Sequence, residues 1–305
     1  MNAVVLAAGL GTRLRPLTYR VPKALLPVLN RPLLGLLLAQ LKAAGFIQVA
    51  VNTHHLAPLV HRFLEEEGAL GLDLKVSHEP EILGTGGGLK GLANLLGEGP
   101  FLALNGDILI DLDLAAIYRG HRQEALSTLV LHDCPPYNKV WVADGRVVSI
   151  GSPPAGGGGT PLAYTGVQVV AEGILKYMPG QGYHDLVAAW REALGAGEKL
   201  AALVVQGRFW QDLGTPAAYL AAHRRLLQGE APGLAPLWPS LSDPLVGPGA
   251  SIGRGVKFGA GVCLGAGVEV GDGCALANTV VKWGTAAPLP IPWSGTRPGW
   301  LPGCA

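Results

Sequence analysis

A short segment near the start of the chain combines two glycines with several cationic side chains. Residues 8–28 have the sequence AGLGTRLRPLTYRVPKALLPV, which contains no acidic residue and follows an apolar run. Gly9 and Gly11 allow backbone N–H groups to approach phosphate oxygens closely. Arg13 offers a planar donor fork and Lys23 a compact positive charge, and both suit a polyphosphate. The segment therefore predicts an anion-binding loop directly after a buried strand.

Three phosphate-binding patterns compete for this loop. The P-loop requires a Gly-Lys pair after four intervening residues, which the loop lacks. The dinucleotide fingerprint GxGxxG begins well, but Leu14 occupies its third glycine position and Pro16 interrupts the step into a helix. The pattern GxGTRxxPxTxxxPKxxxPV is matched at every fixed position by residues 9–28. That pattern is the signature of nucleotide-sugar pyrophosphorylases, so the chain resembles this family.

A second glycine-rich segment, EPEILGTGGG, spans residues 79–88. Gly84, Thr85, Gly86 and Gly87 match a G-T-[AG]-G turn that in the family lies against the base and ribose; a plain glycine turn ahead of the next helix is the alternative. Glu79 stands where relatives that bind uracil or thymine often carry glutamine. A carboxylate only accepts hydrogen bonds, which suits guanine N1–H and N2–H or uracil N3–H. The base therefore stays open.

Two aspartates complete the resemblance on the phosphate side. Asp107 follows an apolar strand in FLALNGD and resembles the family's metal-binding aspartate, and Asp212 in FWQDLGTP resembles the W-x-D-x-G-T segment. Mg²⁺ favours one or two carboxylates together with phosphate oxygens and water. The resemblance thus implies Mg²⁺ as cofactor at both aspartates, with Arg13, Lys23 and Asp107 catalytic. It implies nucleotide contacts from Ala8, Gly9, Gly11, Thr12, Arg13, Glu79, Gly84, Thr85, Gly86 and Asn105.

The segment YTGVQVV resembles the family strand that lies beneath the sugar, with Thr165 and Gly166 at its loop end. Sugar-1-phosphate thymidylyltransferases carry Glu-Lys-Pro ahead of this strand, and that lysine holds the sugar phosphate. Here residues 150–161 have the sequence IGSPPAGGGGTP, without a lysine. The cation for the sugar phosphate is therefore unassigned, and Lys139 and Arg146 are the candidates.

The resemblance implies an enzyme that converts a nucleoside triphosphate and a sugar 1-phosphate to a nucleotide-sugar and pyrophosphate. The GTGGG segment and the missing Glu-Lys-Pro most resemble the N-acetylmuramate-1-phosphate uridylyltransferase branch. The C-terminal repeat described below is closer to mannose-1-phosphate guanylyltransferases, which is the alternative. A non-catalytic nucleotide-sugar-binding regulatory subunit is the alternative of another class, although a pure binder has little need of both carboxylates.

The elements that position these residues alternate over the first 130 residues. Apolar strands are predicted over 3–7, 48–52, 72–77, 101–105 and 127–131, and helices over 32–44, 56–67, 88–96 and 114–122. This alternation predicts an α/β fold: a Rossmann-like, mostly parallel sheet with helices on both faces. Such sheets bind ligands at the carboxyl ends of their strands, where the loop and Asp107 would meet. Asp144-Gly145 predicts a hairpin beyond this region.

The composition of the chain divides it into three parts. Residues 1–228 are predicted to form the catalytic domain, 229–244 a proline-rich linker, and 245–305 a repeat region with an irregular tail. Apolar residues recur there at every sixth position: Val246, Ile252, Phe258, Leu264, Val270 and Leu276. This spacing predicts a short left-handed parallel β-helix, with a packing role or a homo-oligomer formed through it.

Composition limits the partners. The 305 residues include 23 basic and 22 acidic side chains, a net charge of +1 that gives no overall attraction to nucleic acid or an anionic membrane. The four cysteines form no CxxC pair, which fits a reducing compartment. No apolar stretch reaches the length of a bilayer span, and no signal-peptide pattern is visible, so a cytoplasmic protein is expected.

Overall fold

The structure is a computed structural model, and it describes residues 1–66, 68–179 and 182–282. The strands up to residue 212 are β1 Asn2–Leu6, β2 Pro27–Val28, β3 Arg31–Pro32, β4 Gln48–Thr53, β5 Asp73–His78, β6 Phe101–Asn105, β7 Ile108–Ile110, β8 Ser127–His132, β9 Val140–Ala143, β10 Arg146–Ile150, β11 Thr160–Val170, β12 Leu200–Val204 and β13 Trp210–Asp212. The helices are α1 Leu33–Ala43, α2 Ala57–Glu66, α3 Gly84–Ala93, α4 Leu114–Arg119, α5 Leu186–Gly195 and α6 Pro216–Leu227.

The main sheet has the strand order β5-β4-β1-β6-β11-β8-β12-β10-β9. Strands β5, β4, β1 and β6 are parallel neighbours, as are β8 and β12. The α/β class predicted from the alternation is confirmed. The sheet is mixed, however, because β11 runs antiparallel to both β6 and β8, and β10 runs antiparallel to β12 and β9.

Helices cover both faces of this sheet because its central strands are apolar on both sides. In β1, Ala3 and Val5 pack in a core with residues of α1 and α2, including Leu37 and Phe63. Val4 points to the opposite face and packs in a second core with residues of α3 and α5. Alternate side chains of a strand point to opposite faces, so one apolar run serves both cores.

Two local predictions have different outcomes. Asp144 and Gly145 have φ values of 48° and 69°, and they join β9 to β10 in the predicted hairpin. The helix predicted over 88–96 is misplaced, because α3 begins at Gly84 and ends at Ala93. The glycines that favoured a turn instead lie inside the first turn of the helix, where they allow close packing described below.

Residues 229–244, predicted as a linker, pack against the catalytic part. They contain a 3₁₀ turn over Pro232–Leu237, and Leu234 and Trp238 are buried. The Trp238 indole N–H donates to the backbone oxygen of Leu29 at 3.0 Å. These side chains share a core with Leu14, so this segment supports the same loop that carries Arg13.

The C-terminal repeat forms short strands: β14 Leu245–Val246, β15 Ser251–Ile252, β16 Lys257–Phe258, β17 Val262–Leu264, β18 Glu269–Val270, β19 Ala275–Leu276 and β20 Thr279–Val281. Each of the first four pairs in parallel with the strand three positions later. The left-handed β-helix stays a prediction. The predicted irregular tail lies, from residue 283 onward, outside the described residues. In the part of the chain that the structure describes, no helix has the length and apolarity needed to cross a bilayer.

Candidate active site

Two cavities open at the carboxyl ends of the parallel strands. The loop cavity, about 420 Å³, is lined by residues 6–13 together with Glu79, Thr85 and Asp185. The aromatic cavity, about 560 Å³, is lined by Tyr137, Tyr164, Trp190 and Trp210 among others. Arg13, Asn105 and Asp107 line both cavities. The two spaces therefore meet at the residues for which the sequence predicts phosphate chemistry.

The loop after β1 is held in one conformation by its own residues. Gly11 has a φ of 62°, and the Thr18 hydroxyl donates to the Gly11 carbonyl oxygen at 2.7 Å. A Cβ on Gly11 would stand 2.8 Å from Thr18 Cγ2, whereas a Cβ on Gly9 would meet nothing within 4 Å. Leu14 is fully buried and anchors the 3₁₀ turn Thr12–Leu14. Gly11 is therefore required by the fold, while Gly9 keeps the cavity side open.

This loop presents hydrogen-bond donors to the loop cavity. Ala7 N–H donates to Asn52 Oδ1 at 2.6 Å, but within residues 1–66, 68–179 and 182–282 nothing accepts from the backbone N–H groups of Ala8, Gly9 or Leu10. All three residues line the cavity, as do Thr12 and Arg13. Successive N–H groups beside a guanidinium form a site for an anion such as a triphosphate.

Lys23 lines the loop cavity near the junction of the two cavities. It lies in the 3₁₀ turn Lys23–Leu25 and is only 8% exposed. Its ammonium lies 2.6 Å from Asp107 Oδ2. Because a lone buried charge is unfavourable, this ion pair offsets the burial of the Lys23 side chain and holds it at the junction.

Asp107 and Asp212, distant in sequence, are brought together by a two-stranded ladder. Strands β7 and β13 are antiparallel, Asp212 is opposite Ile108, and the Leu213 N–H donates to the Asp107 carbonyl oxygen at 2.9 Å. Burial and the nearby Asp107 charge raise the pKa of Asp212, while Lys23 and Arg13 oppose that shift.

Asp212 Oδ1 is buried and has no hydrogen-bond partner among the described residues. A cation between two carboxylates would satisfy this oxygen and offset their repulsion. The described residues contain no group of three or more His, Cys, Asp or Glu that could hold a metal. Two carboxylates are nevertheless a donor set that suits a hard cation such as Mg²⁺, which takes one or two carboxylates and completes its shell with phosphate and water.

The glycine-rich start of α3 packs against residues 182–185. Gly84 has a φ of 72°, and a Cβ there would overlap the His184 carbonyl oxygen. The Gly86 N–H donates to that same oxygen at 2.9 Å. The Thr85 hydroxyl donates to Asp185 Oδ1 at 3.3 Å. Gly84 and Thr85 line the loop cavity, whereas Gly86 is not among its described lining residues and packs against His184 and Asp185.

Glu79 lines the loop cavity but is already engaged. It is 2% exposed, and Oε1 accepts from Asn52 Nδ2 at 2.6 Å while Oε2 accepts from the Leu83 N–H at 3.1 Å. Asn52, which also lines the cavity, was missed by sequence reasoning. Its only signal was an amide at the end of the apolar strand β4. A base contact from Glu79 stays a prediction that must use its remaining lone pairs.

The sugar-side residues lie at an irregularity of β11. The Thr165 hydroxyl donates to the Val130 carbonyl oxygen at 2.9 Å, and the Thr165 carbonyl oxygen accepts from the Trp210 indole at 2.7 Å. Gly166 has a φ of 87°, and its Cβ would stand 3.1 Å from Asn105 Nδ2. Both residues line the aromatic cavity, so Thr165 and Gly166 shape it through the backbone.

Besides Arg13, two cations line the aromatic cavity. Lys139 is one of the two candidates for the sugar-phosphate cation, and Arg191 on α5 was missed by sequence reasoning. Arg146 is not among the described residues that line this cavity. The Arg191 Nε donates to the Ile150 carbonyl oxygen at 3.2 Å. The periodicity of α5 gave no signal that its arginine faces a cavity rather than solvent.

The comparisons with known proteins agree with this geometry. The model of the family described as Nucleotidyl transferase matches residues 2–229. The chain is 34% identical over 245 residues to the N-acetylmuramate alpha-1-phosphate uridylyltransferase of Caulobacter vibrioides, covering 74% of this chain and 97% of that protein. It is 31% identical over 252 residues to the mannose-1-phosphate guanylyltransferase of Mycobacterium tuberculosis, covering 77% of this chain and 67% of that protein. For two further curated relatives, the matched part of the chain spans 64% and 62% of their length.

A solved structure shows the same fold. It is a UDP-glucose pyrophosphorylase from Acinetobacter baumanii, with a TM-score of 0.64 and 21% sequence identity. The match covers 80% of this chain and 96% of that chain.

Proposed function

Because this chain belongs to the nucleotidyl transferase family, we propose that it transfers a nucleotidyl group from a nucleoside triphosphate to a sugar 1-phosphate and releases pyrophosphate. The main observation that supports this proposal is the meeting of the two cavities. The loop cavity and the aromatic cavity meet at Arg13, Asn105 and Asp107, beside Lys23. A nucleotide in one cavity and a sugar phosphate in the other would thus meet at their phosphates.

The arrangement suits displacement at the α-phosphorus. An oxygen of the sugar 1-phosphate forms the new bond to that phosphorus, the bond to the β-phosphate oxygen breaks, and pyrophosphate leaves with the electron pair. The attacking phosphate is already an anion, so no strong general base is required. Arg13 and Lys23 stabilise the charge of the triphosphate, and the two cavities hold the reactants in line.

Asp107 and Asp212 would hold Mg²⁺, as the unpartnered Oδ1 and the raised pKa of Asp212 suggest. The ion supplies charge neutralisation on the phosphates when it is bound. The Lys23 ammonium, paired with Asp107, places a further positive charge on the same side of the site.

For the substrates, we favour uridylyl transfer to N-acetylmuramate 1-phosphate or a similar sugar phosphate. The Caulobacter relative of that name is matched along nearly its whole length. Guanylyl transfer to mannose 1-phosphate is supported by the Mycobacterium relative. The repeat region is proposed to be a left-handed β-helix that packs on the catalytic part, where the Asn30 side chain donates to the Leu264 carbonyl oxygen at 2.8 Å.

A pyrophosphate-release screen tests the function. UTP, GTP, dTTP, CTP and ATP are each combined with several sugar 1-phosphates, with and without Mg²⁺. We expect release with one base and one sugar class, lost in Asp107→Asn and kept in Glu98→Gln, an exposed acid that is not among the described lining residues of either cavity. Nucleotide binding without turnover across the whole panel would instead identify a regulatory subunit. Full activity of Asp107→Asn would rule out the metal assignment.

A further inference from the structure

The aromatic cavity carries two cations at the end remote from the phosphate junction. Lys139 and Arg191 line it there, and the acids among its described lining residues are Asp107 and Asp212, at the opposite end. We infer that Lys139 and Arg191 bind a second negatively charged group on the sugar, a carboxylate, and not its 1-phosphate. This inference rests on the proposed function and names the substrate class that the site selects.

Strand β11 runs between the Lys139 end of the aromatic cavity and the phosphate junction. The Lys139 N–H donates to the Leu162 carbonyl oxygen at 3.0 Å, whereas Gly166 lies against Asn105 at the junction. Extended chain advances about 3.3 Å per residue, so Leu162 lies roughly 7 Å from Tyr164, and the irregularity of β11 separates Tyr164 from Gly166. The 1-phosphate must lie beside Asp107 to reach the α-phosphorus. The backbone of Lys139 is therefore anchored at the end of the cavity away from the junction.

Arg191 is fixed at that same far end. Its Nε donates to the Ile150 carbonyl oxygen, and its guanidinium lies so close to Gly151 that a Cβ there would overlap it. The Gly151 N–H in turn donates to the Lys139 carbonyl oxygen at 2.6 Å. Lys139 and Arg191 thus both form hydrogen bonds with the segment Ile150–Gly151. Across the described ranges, the ion pairs include neither Lys139 nor Arg191.

The donor chemistry suits a carboxylate. With Nε occupied, Arg191 keeps its terminal NH₂ groups for a ligand, and a guanidinium binds a carboxylate through two parallel hydrogen bonds. The ammonium of Lys139 adds a point charge beside it. Two unpaired cations at one end of a cavity disfavour a neutral ligand there, because their desolvation would go uncompensated.

The size and walls of the cavity indicate how the acid is attached. At about 560 Å³ it is larger than the loop cavity of about 420 Å³, which must hold a nucleotide. Trp190 packs edge-on to Tyr164 with ring centroids 4.9 Å apart, and Tyr137 lies 6.3 Å from Trp210. Such aromatic surfaces suit the C–H faces of a sugar and an apolar linkage. The substrate class is therefore a sugar 1-phosphate that bears a carboxylate on an apolar substituent.

The test compares two acceptors that differ in the acidic substituent alone: N-acetylmuramate 1-phosphate and N-acetylglucosamine 1-phosphate, each with the nucleotide that the wild type uses. We expect the wild type to prefer the acidic acceptor. Arg191→Gln should lower kcat/KM for it about 10- to 100-fold, mainly through KM, since a charge-assisted hydrogen-bond pair is lost. The neutral acceptor should change less than about threefold.

Two variants and one control sharpen the comparison. Arg191→Lys should fall between wild type and Arg191→Gln, because it keeps the charge and loses the fork. Lys139→Gln should reduce the same preference, and it serves if Arg191→Gln does not fold. Arg254→Gln, an exposed arginine of the repeat region, should leave both acceptors unchanged.

Equal turnover of both acceptors by the wild type would overturn the second-anion site, as would equal losses on both acceptors in Arg191→Gln. In either case the transferase activity itself would stand. Failure of the proposed function gives a different result: no pyrophosphate from these two acceptors or from any other pair in the screen.

Discussion

Replacing Gly11 by alanine tests how the anion-binding loop is held. Gly11 has a φ of 62°, and an added Cβ would stand 2.8 Å from Thr18 Cγ2 and 3.2 Å from Lys23 Cβ. The left-handed backbone costs a non-glycine residue about 1–2 kcal/mol. The overlap with Thr18 adds about 1 kcal/mol, at the lower end of overpacking costs. We therefore expect Gly11→Ala to lower the free energy of unfolding by about 2–3 kcal/mol.

Gly9→Ala is the matched control, two residues away in the same loop. Gly9 is exposed, its φ is not left-handed, and its Cβ would meet nothing within 4 Å. Its free energy of unfolding should change by less than about 0.5 kcal/mol. Both variants are compared with wild type by urea denaturation at one pH, accepting the difference only if the m-values agree.

Activity separates the two variants in a second way. Gly9→Ala leaves the fold intact but places a methyl group on the open side of the loop cavity, so the KM for the nucleotide should rise without loss of stability. Gly11→Ala should change both quantities, since Lys23 lies against the added methyl group. Equal unfolding free energies for Gly9→Ala and Gly11→Ala would refute the reasoning that Gly11 alone meets a structural requirement.

Three further changes probe the core. Trp190→Ala removes a buried ring that packs on Tyr164, and thermal or urea unfolding should show a loss of about 3–5 kcal/mol. Trp238→Phe leaves the Leu29 carbonyl oxygen without its indole donor and should cost about 1–3 kcal/mol in the same assay. Burial lowers the pKa of His223 to about 4, so the unfolded chain binds more protons than the native state between pH 6.5 and 4. The free energy of unfolding should therefore decrease by about 2–3 kcal/mol as the pH falls from 6.5 to 4. His223→Phe should flatten this pH dependence.

The position of the loop at the end of a buried strand was predictable because its information is local, and its anion-binding role stays a prediction. Its glycines, prolines and cations lie within residues 8–28, and each acts where it stands in sequence. Asp107 was predictable for a related reason: a polar residue at the end of an apolar strand must emerge at the carboxyl edge of a parallel sheet. Neither inference needs knowledge of which strands are neighbours.

The residues that were missed depend on long-range pairing. Asn52 meets Glu79 only because β4 and β5 are adjacent, and Arg191 reaches the aromatic cavity only because α5 packs beside β10. The insertion of β11 between β6 and β8 has no signature in periodicity either. The start of α3 was misplaced because glycine favours turns, while here the glycines are needed for close approach to His184.

The junction of the cavities shows why neighbouring small residues accompany the charged ones. A Cβ on Gly214 would stand 2.7 Å from an Arg13 terminal nitrogen and 2.9 Å from both Asp212 carboxylate oxygens. A glycine there lets a cation from the first loop and a carboxylate from the β7–β13 ladder approach closely. Because Gly214 directly precedes the Thr215 cap of α6, whose hydroxyl accepts from Ala218 at 3.2 Å, the helix fixes its position. The spacing of charges at the junction is thus set by packing that the charged residues themselves do not make.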